Sequence, residues 1–446
     1  MVAAQTLNRQ MFNLALPLLL SNLAGVLLGV TDTFFAGQLG TSAVAAVGLG
    51  ALWFFTLFLL PRGMVGSIVP FVSQAYGASD FTRAGKWLSY FLVFATALLP
   101  LLLVYRPLLQ VAIGASGAEQ AVQKLALDYA TLRLLEIPFA LLLTALVGFL
   151  IGIGDSKTPM FVNWGMVLLN VFLNWVFVYG MFGAPKMGLL GTAVGSVLSF
   201  VVGATVISVL VWRWHRKAYA LGFALPQKSQ WLEMLKIGVP MGFLEMLEVS
   251  AFAAFLGLTA RISTEALAAS QIGNQISALA FMPGFALGSA TASLVGRYIG
   301  ASDLLTADRA CYTGVRLGMV WMGVIGVLFL VFAEPLARLF SREEHVVALT
   351  ASLLRLMTFY QIFDAVNIVF RSALLGTGDT RFPAMLTLFC AWTIMVGGGY
   401  LIVQAGGGLL EVWLAPFAYL TLLAVVYWQR WRFGHWKTLR VGQVQA

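Results

Sequence analysis

Carboxylates placed inside otherwise apolar runs are the residues of this sequence that could do chemistry. Asp32 follows Gly25 and Gly29 by seven and three residues, so all three lie on one face of a helix. Small residues on that face allow close helix packing, which turns the carboxylate towards protein rather than lipid. A charge at mid-membrane costs about 2.5–3.5 kcal/mol on insertion scales. Asp32 is therefore predicted to bind an ion or proton, with a structural ion pair as the alternative.

Two later helices carry further acids. Glu245 and Glu248 lie three residues apart. Another run has polar residues at spacings of four, three and four, namely Tyr360, Asp364, Asn367 and Arg371. Adjacent buried acids disfavour joint ionisation, which suits a group that exchanges a proton or needs a bound cation to stay ionised. The structural alternative is an ion pair between Asp364 and Arg371 on their own helix.

Neutral amides and hydroxyls form two more stripes. One helix carries amides at spacings of seven and four, namely Asn163, Asn170 and Asn174. Another carries Ser270, Asn274 and Ser277, with Gln271 and Gln275 beside them. These groups can coordinate a cation, bond a protonated carboxyl or simply join neighbouring helices, and the second stripe suggests the wall of a wet cavity. Arg133 and Glu136, three residues apart, are predicted to form a local structural pair.

The composition shows which elements must position these groups. The 446 residues are 60% hydrophobic and only 10% charged, against about 25% charged residues in soluble domains. Lipid must be the main solvent, and a helix needs about 20 apolar residues to cross it. The sequence predicts an all-α membrane protein of about twelve helices. The apolar runs are 12–36, 44–74, 87–109, 121–150, 159–182, 188–213, 235–260, 266–296, 310–334, 346–375, 383–403 and 408–430.

The chain also contains an internal repeat. Gly-x-Gly-Asp at 152–155 recurs at 376–379, and Gly-Ala-Ser-Asp at 77–80 recurs at 300–303. Pro17 and Pro240 share the offset of 223, at which Asp32 corresponds to Phe255. We therefore predict two six-helix bundles of equal orientation, 1–213 and 234–446, joined by a cytoplasmic linker loop, 214–233. Parallel repeats of this kind are typical of transporters, with the substrate path near mid-membrane.

Charge and motifs exclude several classes of function. The net charge of +9 comes from Lys and Arg concentrated in alternate loops, which predicts cytoplasmic termini rather than nucleic-acid binding. The repeated Gly-x-Gly-Asp turns lack the Gly-Lys-Ser/Thr of a nucleotide-binding loop. No metalloprotease, Ser–His or paired-Asp protease motif occurs, and two lone cysteines predict neither a disulfide framework nor a metal site. A secondary transporter without cofactor, and not an enzyme, is expected.

Three strings of the sequence resemble the multidrug and toxic compound extrusion (MATE) transporters. The segment from Leu16-Pro17 through Val30-Thr31-Asp32-Thr33 resembles their first helix. The run Asn170-Val171-Phe172-Leu173-Asn174-Trp175-Val176-Phe177-Val178-Tyr179-Gly180 resembles their fifth helix, and Gly188-Leu189-Leu190-Gly191-Thr192-Ala193 the start of their sixth. The resemblance implies two bundles around a V-shaped central cavity, in a bacterial inner (plasma) membrane.

The resemblance also implies an antiporter that expels cationic, amphipathic organic compounds in exchange for Na⁺ or H⁺. Asp32, Asn170 and Pro17 match the family's helix-1 carboxylate, a helix-5 amide and a helix-1 proline that permits bending. Glu248 and Asp364 match the coupling-cation acids of the NorM branch, which makes them a possible Na⁺ site. The DinF branch usually has Asp where this chain has Asn174, and often Thr at Ser196, so the resemblance favours NorM.

The remaining expectations concern partners and alternatives. Asn174 is included among the ion-coupling residues, and the substrate-binding candidates are Glu245, Gln271, Asn274 and Tyr360. A monomer is the simplest assembly, because the cavity can form within one chain. The leading alternative is a flippase of lipid-linked precursors, which would be expected to line its cavity with Arg and Lys. A channel, an uptake symporter and an intramembrane enzyme are weaker alternatives. The sequence leaves the coupling ion and the substrate open.

Overall fold

The predicted apolar runs are helices in the computed structural model, which describes residues 2–442 and the side chains of residues 6–442. Within that part of the chain there is no strand, and twelve helices are long and apolar enough to span a membrane. The prediction of an all-α, twelve-helix protein is confirmed. The helices are α1 (Thr6–Gly37, continuous with residues from Val2), α2 (Thr41–Gly77), α3 (Phe81–Gly114), α4 (Gln120–Ile153), α5 (Lys157–Tyr179), α6 (Leu189–His215), α7 (Lys228–Thr259), α8 (Thr264–Gly300), α9 (Leu304–Arg338), α10 (Glu344–Thr377), α11 (Arg381–Gln404) and α12 (Leu409–Arg432).

A break in α4 sets the position of two charged side chains. The α-helical part Gln120–Arg133 passes through a 3₁₀ turn, Leu134–Glu136, into the α-helix Ile137–Ile153. Pro138 causes the break, because it has no N–H for the carbonyl of Leu134. The N–H of Ile137 donates to that carbonyl instead. Residues three apart eclipse each other in a 3₁₀ turn, so Arg133 and Glu136 point to the same side.

The sequence repeat is reproduced in the backbone of its turns. Ser79 and Ser302 both adopt left-handed conformations, with φ of 59° and 60°. The Asp that follows each serine caps the next helix: Asp80 accepts a hydrogen bond from the Arg83 N–H (2.9 Å), and Asp303 accepts one from the Thr306 N–H (3.0 Å). The predicted parallel repeat is therefore visible as equivalent turns at equivalent places.

The second pair of repeated turns needs glycine. Gly154 and Gly378 end α4 and α10 with φ of 86° and 91°, in the left-handed region that a side chain rarely adopts. Asp155 and Asp379 follow, and their N–H groups donate to the carbonyls of Leu150 and Leu374. The Gly-x-Gly-Asp motifs thus form helix-ending turns, as the sequence predicts.

The chain forms two compact units whose boundaries fall inside α1 and α7. The N-unit is Leu20–Gly242, and the C-unit is Met1–Leu19 with Phe243–Ala446. Each boundary lies two residues after a proline, Pro17 or Pro240. In the N-unit, a Cβ on Gly63 would lie 2.8 Å from the Cα of Gly242. The first part of α7 therefore packs against α2 too closely for a side chain at that point.

The compact units differ from the two chain-ordered bundles, 1–213 and 234–446, because α1 and α7 are each divided between them. In the C-unit, the first part of α1 bonds to α8, where Tyr298 donates to the side chain of Gln10 (2.8 Å). The segment between α6 and α7 is shorter than the predicted linker, 214–233, since α6 continues to His215 and α7 begins at Lys228. The linker is part of the N-unit and packs against α3, where the Ser89 hydroxyl accepts from the Ala224 N–H at 2.8 Å.

Candidate functional site

Asp32 is the centre of a buried polar cluster in the N-unit. Its side chain is 1% exposed and receives hydrogen bonds from three other helices. The Tyr129 hydroxyl on α4 donates at 3.0 Å, the Asn174 amide on α5 at 2.9 Å and the Ser196 hydroxyl on α6 at 2.9 Å. Three donors without charge thus hold one buried carboxylate.

A second set of contacts fixes those donors. The Asn170 amide donates to the Ser196 hydroxyl at 3.1 Å, and Asn174 donates to the Asn170 carbonyl oxygen at 3.3 Å. Asn170 and Asn174 lie one turn apart on α5 and are both fully buried. Gly195 leaves room for this arrangement, since a Cβ there would stand 2.1 Å from the Asn174 side-chain oxygen. The amides of α5 therefore orient the groups that bind Asp32.

Arg133 places a positive charge beside the same cluster. Its guanidinium forms a two-nitrogen contact with Glu136, at 2.9 and 3.0 Å, and donates to the Tyr129 hydroxyl at 3.1 Å. The nearest guanidinium nitrogen lies 3.8 Å from Asp32. The local Arg133–Glu136 pair is present as predicted, but it also touches the Asp32 cluster, a link that sequence reasoning missed.

The cluster is chemically suited to a carboxyl group that binds and releases a proton or a cation. Asp32 accepts from the Asn174 amide, and its other two partners are hydroxyls, which can donate to an ionised carboxylate or accept from a protonated one. Tyr129 connects Arg133 to Asp32 by hydrogen bonds, because its hydroxyl accepts from the guanidinium and donates to Asp32. The Asn174 side-chain oxygen is buried and has no hydrogen-bond partner within the described structure. An oxygen acceptor therefore lies close to Asp32.

The C-unit holds the second group of acids. Nη1 of Arg371, on α10, lies 2.9 Å from Oε1 and 2.7 Å from Oε2 of Glu248, on α7. The Tyr419 hydroxyl reaches Glu248 from α12 at 3.5 Å. The alternative of an Asp364–Arg371 pair is wrong for this structure, because the guanidinium binds the acid of the neighbouring helix.

Asp364 is buried beside that ion pair. Its side chain is 5% exposed and accepts a hydrogen bond from the amide of Asn367, one turn further along α10, at 3.3 Å. Tyr360, one turn earlier on the same helix, is buried as well. Asp364 therefore relies on a neutral donor, whereas Glu248 has a guanidinium. The possible Na⁺ site at Glu248 and Asp364 stays a prediction.

The other predicted residues lie on α7, α8 and α5. Glu245 is partly buried on α7, three residues before Glu248, while on α8 Gln271 is exposed and Asn274 is partly buried. Asn163 belongs to a separate contact in the N-unit, donating to the Ser21 hydroxyl at 2.7 Å. The roles of Glu245, Gln271 and Asn274 in substrate binding stay predictions, as does the role of Pro17 as a hinge.

Tyr129 and Tyr419 are the contacts of the acids that sequence reasoning did not select. Tyr129 precedes Arg133 by four residues, so the two share a helix face. That spacing is a signal for Tyr129, although tyrosines are common in membrane helices. Tyr419 has no comparable neighbour in sequence and is identified only by the packing of α12.

Twelve apolar spans, a parallel repeat and buried acids held by hydrogen bonds define an integral membrane protein built like a transporter. The MatE family model matches residues 17–176 and 240–401. A probable multidrug resistance protein NorM from Pseudomonas putida is 30% identical over 455 residues, covering 97% of this chain and 96% of that protein. A probable NorM from Thermotoga maritima is 28% identical over 418 residues, covering 92% and 89%.

Solved structures show the same fold. A MOP superfamily transporter from Pyrococcus furiosus superposes with a TM-score of 0.87 at 20% identity, covering 98% of this chain and 99% of that chain. A MATE structure in the bent conformation gives 0.88 at 20% identity, covering 98% of each. The chain belongs to the MatE family, the multidrug and toxic compound extrusion transporters. It is a multi-pass membrane transporter of the NorM type rather than an enzyme.

Proposed function

We propose that the chain exports cationic, amphipathic organic compounds in exchange for protons or sodium ions, and that Asp32 is the residue of the N-unit that carries the exchanged ion. The observation that supports this proposal is a fully buried carboxylate held by three neutral donors, with a guanidinium 3.8 Å away. Relatives named as multidrug resistance proteins support the choice of substrate class.

A proton or cation bound to Asp32 changes the hydrogen bonds of its carboxylate in a defined way. A proton on one carboxylate oxygen adds an O–H donor there and makes that oxygen a poorer acceptor. If the proton is on Oδ1, the Asn174 amide loses its acceptor unless it moves, whereas the Tyr129 and Ser196 hydroxyls can rotate and accept. Hydrogen bonds to charged groups contribute about 1.5–3 kcal/mol, so loading favours a rearrangement of α4, α5 and α6 around Asp32 by about that amount.

Exchange follows if the coupling ion and the organic cation favour different conformations of the protein. A ligand shifts a conformational equilibrium only by its difference in affinity between the states. About 1.5–3 kcal/mol corresponds to roughly a 10- to 150-fold shift, which is the usual size of coupling between two sites. The hydrogen bonds around Asp32 are therefore sufficient to couple ion entry to substrate release.

The test is efflux of a fluorescent lipophilic cation from liposomes that contain the purified protein, with proton and sodium gradients imposed separately. The native protein is expected to move the cation under at least one gradient. Asp32→Asn, which keeps the shape of the side chain but cannot exchange an ion, is expected to lower gradient-driven efflux at least tenfold. Glu119→Gln is the matched control, because Glu119 is an exposed acid just before α4.

Each outcome has a separate meaning. Undiminished coupled efflux by Asp32→Asn would contradict the role of Asp32 while leaving the substrate class intact. No movement of the cation under either gradient would contradict export of organic cations. Equal losses in Asp32→Asn and Glu119→Gln would show that the assay responds to surface charge rather than to the buried site.

A further inference from the structure

The contact between Arg371 and Glu248 has the geometry of a cation bound to a carboxylate. A single nitrogen, Nη1, lies between the two oxygens of Glu248, at 2.9 and 2.7 Å. A hard cation that binds a carboxylate through both oxygens takes this central position. The guanidinium nitrogen therefore stands where such an ion would bind.

The charge of this resident group is permanent. Arg keeps its proton at any pH at which a protein is folded, so it neutralises Glu248 constantly. It is attached to α10 and its side chain is only 12% exposed, whereas the Glu248 side chain is 32% exposed. The carboxylate remains partly accessible, but the cation that satisfies it is part of the chain and cannot be transported.

Tyr419 and Asp364 are the neighbours of the pair that bear on its charge. Tyr419 approaches Glu248 from α12 as a neutral hydroxyl. Asp364 interacts electrostatically with both members of the pair, and its hydrogen bond comes from Asn367. A sodium ion at Glu248 would have to share the space between the two oxygens with a buried guanidinium, which would meet it with like-charge repulsion in a medium of low dielectric constant.

We propose that Arg371 is a built-in counter-ion which occupies the cation position of Glu248 and keeps sodium ions from binding there. Arg371 is then a residue that determines ion specificity in the C-unit. The proposal rests on the proposed function in that the protein exchanges an ion. It replaces the predicted Na⁺ site formed by Glu248 with Asp364, since Glu248 no longer contributes a free carboxylate.

The test measures sodium binding and needs no transport. The melting temperature of the purified, detergent-solubilised protein is followed by its intrinsic tryptophan fluorescence, in sodium chloride and in choline chloride of equal concentration. A ligand that binds only the folded state raises the melting temperature. The variants are Arg371→Gln, which frees Glu248; Arg371→Lys, which keeps the charge; and the double variant Arg371→Gln with Glu248→Gln, which removes both charges.

We expect sodium to raise the melting temperature of Arg371→Gln more than that of the native protein. Arg371→Lys and the double variant should respond to sodium as the native protein does. A sodium response in Arg371→Gln no larger than the native one would overturn the proposal. So would a native response larger than that of the double variant, because this would assign the bound sodium to Glu248.

The design remains decisive if Arg371→Gln fails to fold. The native protein and the charge-free double variant can then be compared alone, with equal sodium responses supporting the proposal and a larger native response overturning it. The efflux assay tests the proposed function separately. Loss of dye export without a change in this melting pattern would contradict that function and leave the assignment of Arg371 standing.

Discussion

Removing Arg133 tests whether the N-unit depends on one guanidinium to hold two acids. Arg133 contacts Glu136 through two nitrogens and lies 3.8 Å from Asp32. The side chains of Arg133 and Glu136 are 14% and 2% exposed. Arg133→Met keeps much of the aliphatic volume and deletes the charge. Glu136 and Asp32 are then buried carboxylates without a counter-ion.

The expected loss of stability follows from the distances. With an effective dielectric constant of about 20, unit charges 2.8 Å apart attract by about 6 kcal/mol, and charges 3.8 Å apart by about 4 kcal/mol. Desolvation of the ions offsets most of this attraction in the native protein. Deleting only the guanidinium removes the attraction but leaves both carboxylates buried. Such a change typically costs about 3–5 kcal/mol, and we expect Arg133→Met to fall in that range.

The assay compares melting temperatures in one detergent. Arg133→Lys, which keeps the charge but loses the two-nitrogen geometry, should melt between Arg133→Met and the native protein. The double variant Arg133→Met with Glu136→Met should melt above Arg133→Met, because only Asp32 still lacks its counter-ion. The reasoning would be refuted if the double variant melted as low as Arg133→Met, or if Arg133→Met melted like the native protein.

Three other changes have defined outcomes. Gly195→Ala should displace the side chain of Asn174, which lies 2.1 Å from the new Cβ, and lower gradient-driven efflux at least tenfold. The control is Gly165→Ala, where a Cβ meets nothing within 4 Å. Equal efflux from the two variants would contradict the role of the Asp32 cluster. Pro17→Ala should raise the melting temperature, since proline in a helix interior costs up to about 3 kcal/mol, and should slow efflux; efflux at the native rate would remove Pro17 as a hinge. Glu248→Gln should lower the melting temperature by leaving the Arg371 guanidinium without its carboxylate. The cost should be below the about 3–5 kcal/mol of a fully buried pair, because Glu248 is 32% exposed, and an unchanged melting temperature would contradict this.

The fold could be predicted because its determinants are local. Each span is specified by about 20 apolar residues, and each repeated turn by a glycine or a capping aspartate. Gly154 and Gly378 end their helices in the left-handed conformation that the motif implies. The division of α1 and α7 between the compact units could not be predicted, because it depends on contacts such as that between Gly63 and Gly242, which have no signature in the spacing of residues.

The site was predicted in part for the same reason. Asp32, Asn170 and Asn174 attract notice singly, as polar groups in apolar helices, and the structure brings them together. The role of Tyr129 depends on the angle between α1 and α4, which the sequence does not contain. The structural alternative drawn from the sequence was an ion pair of Arg371 with Asp364 rather than with Glu248. The contact of Arg371 with Glu248 depends on how α7 packs beside α10, which the spacing of residues along one helix does not contain.

In both units an acid and an arginine lie on corresponding helices, but not at corresponding positions of the repeat. Each has an acid on the first helix of its half, α1 or α7, and an arginine on the fourth, α4 or α10. The repeat does not relate these side chains, since Asp32 corresponds to Phe255 and not to Glu248. Arg133 bonds the acid of its own helix, whereas Arg371 bonds the acid of the other helix. Asp32, on α1, and Asp364, on α10, accept their hydrogen bonds from uncharged side chains, so the two halves of the repeat arrange these acids differently.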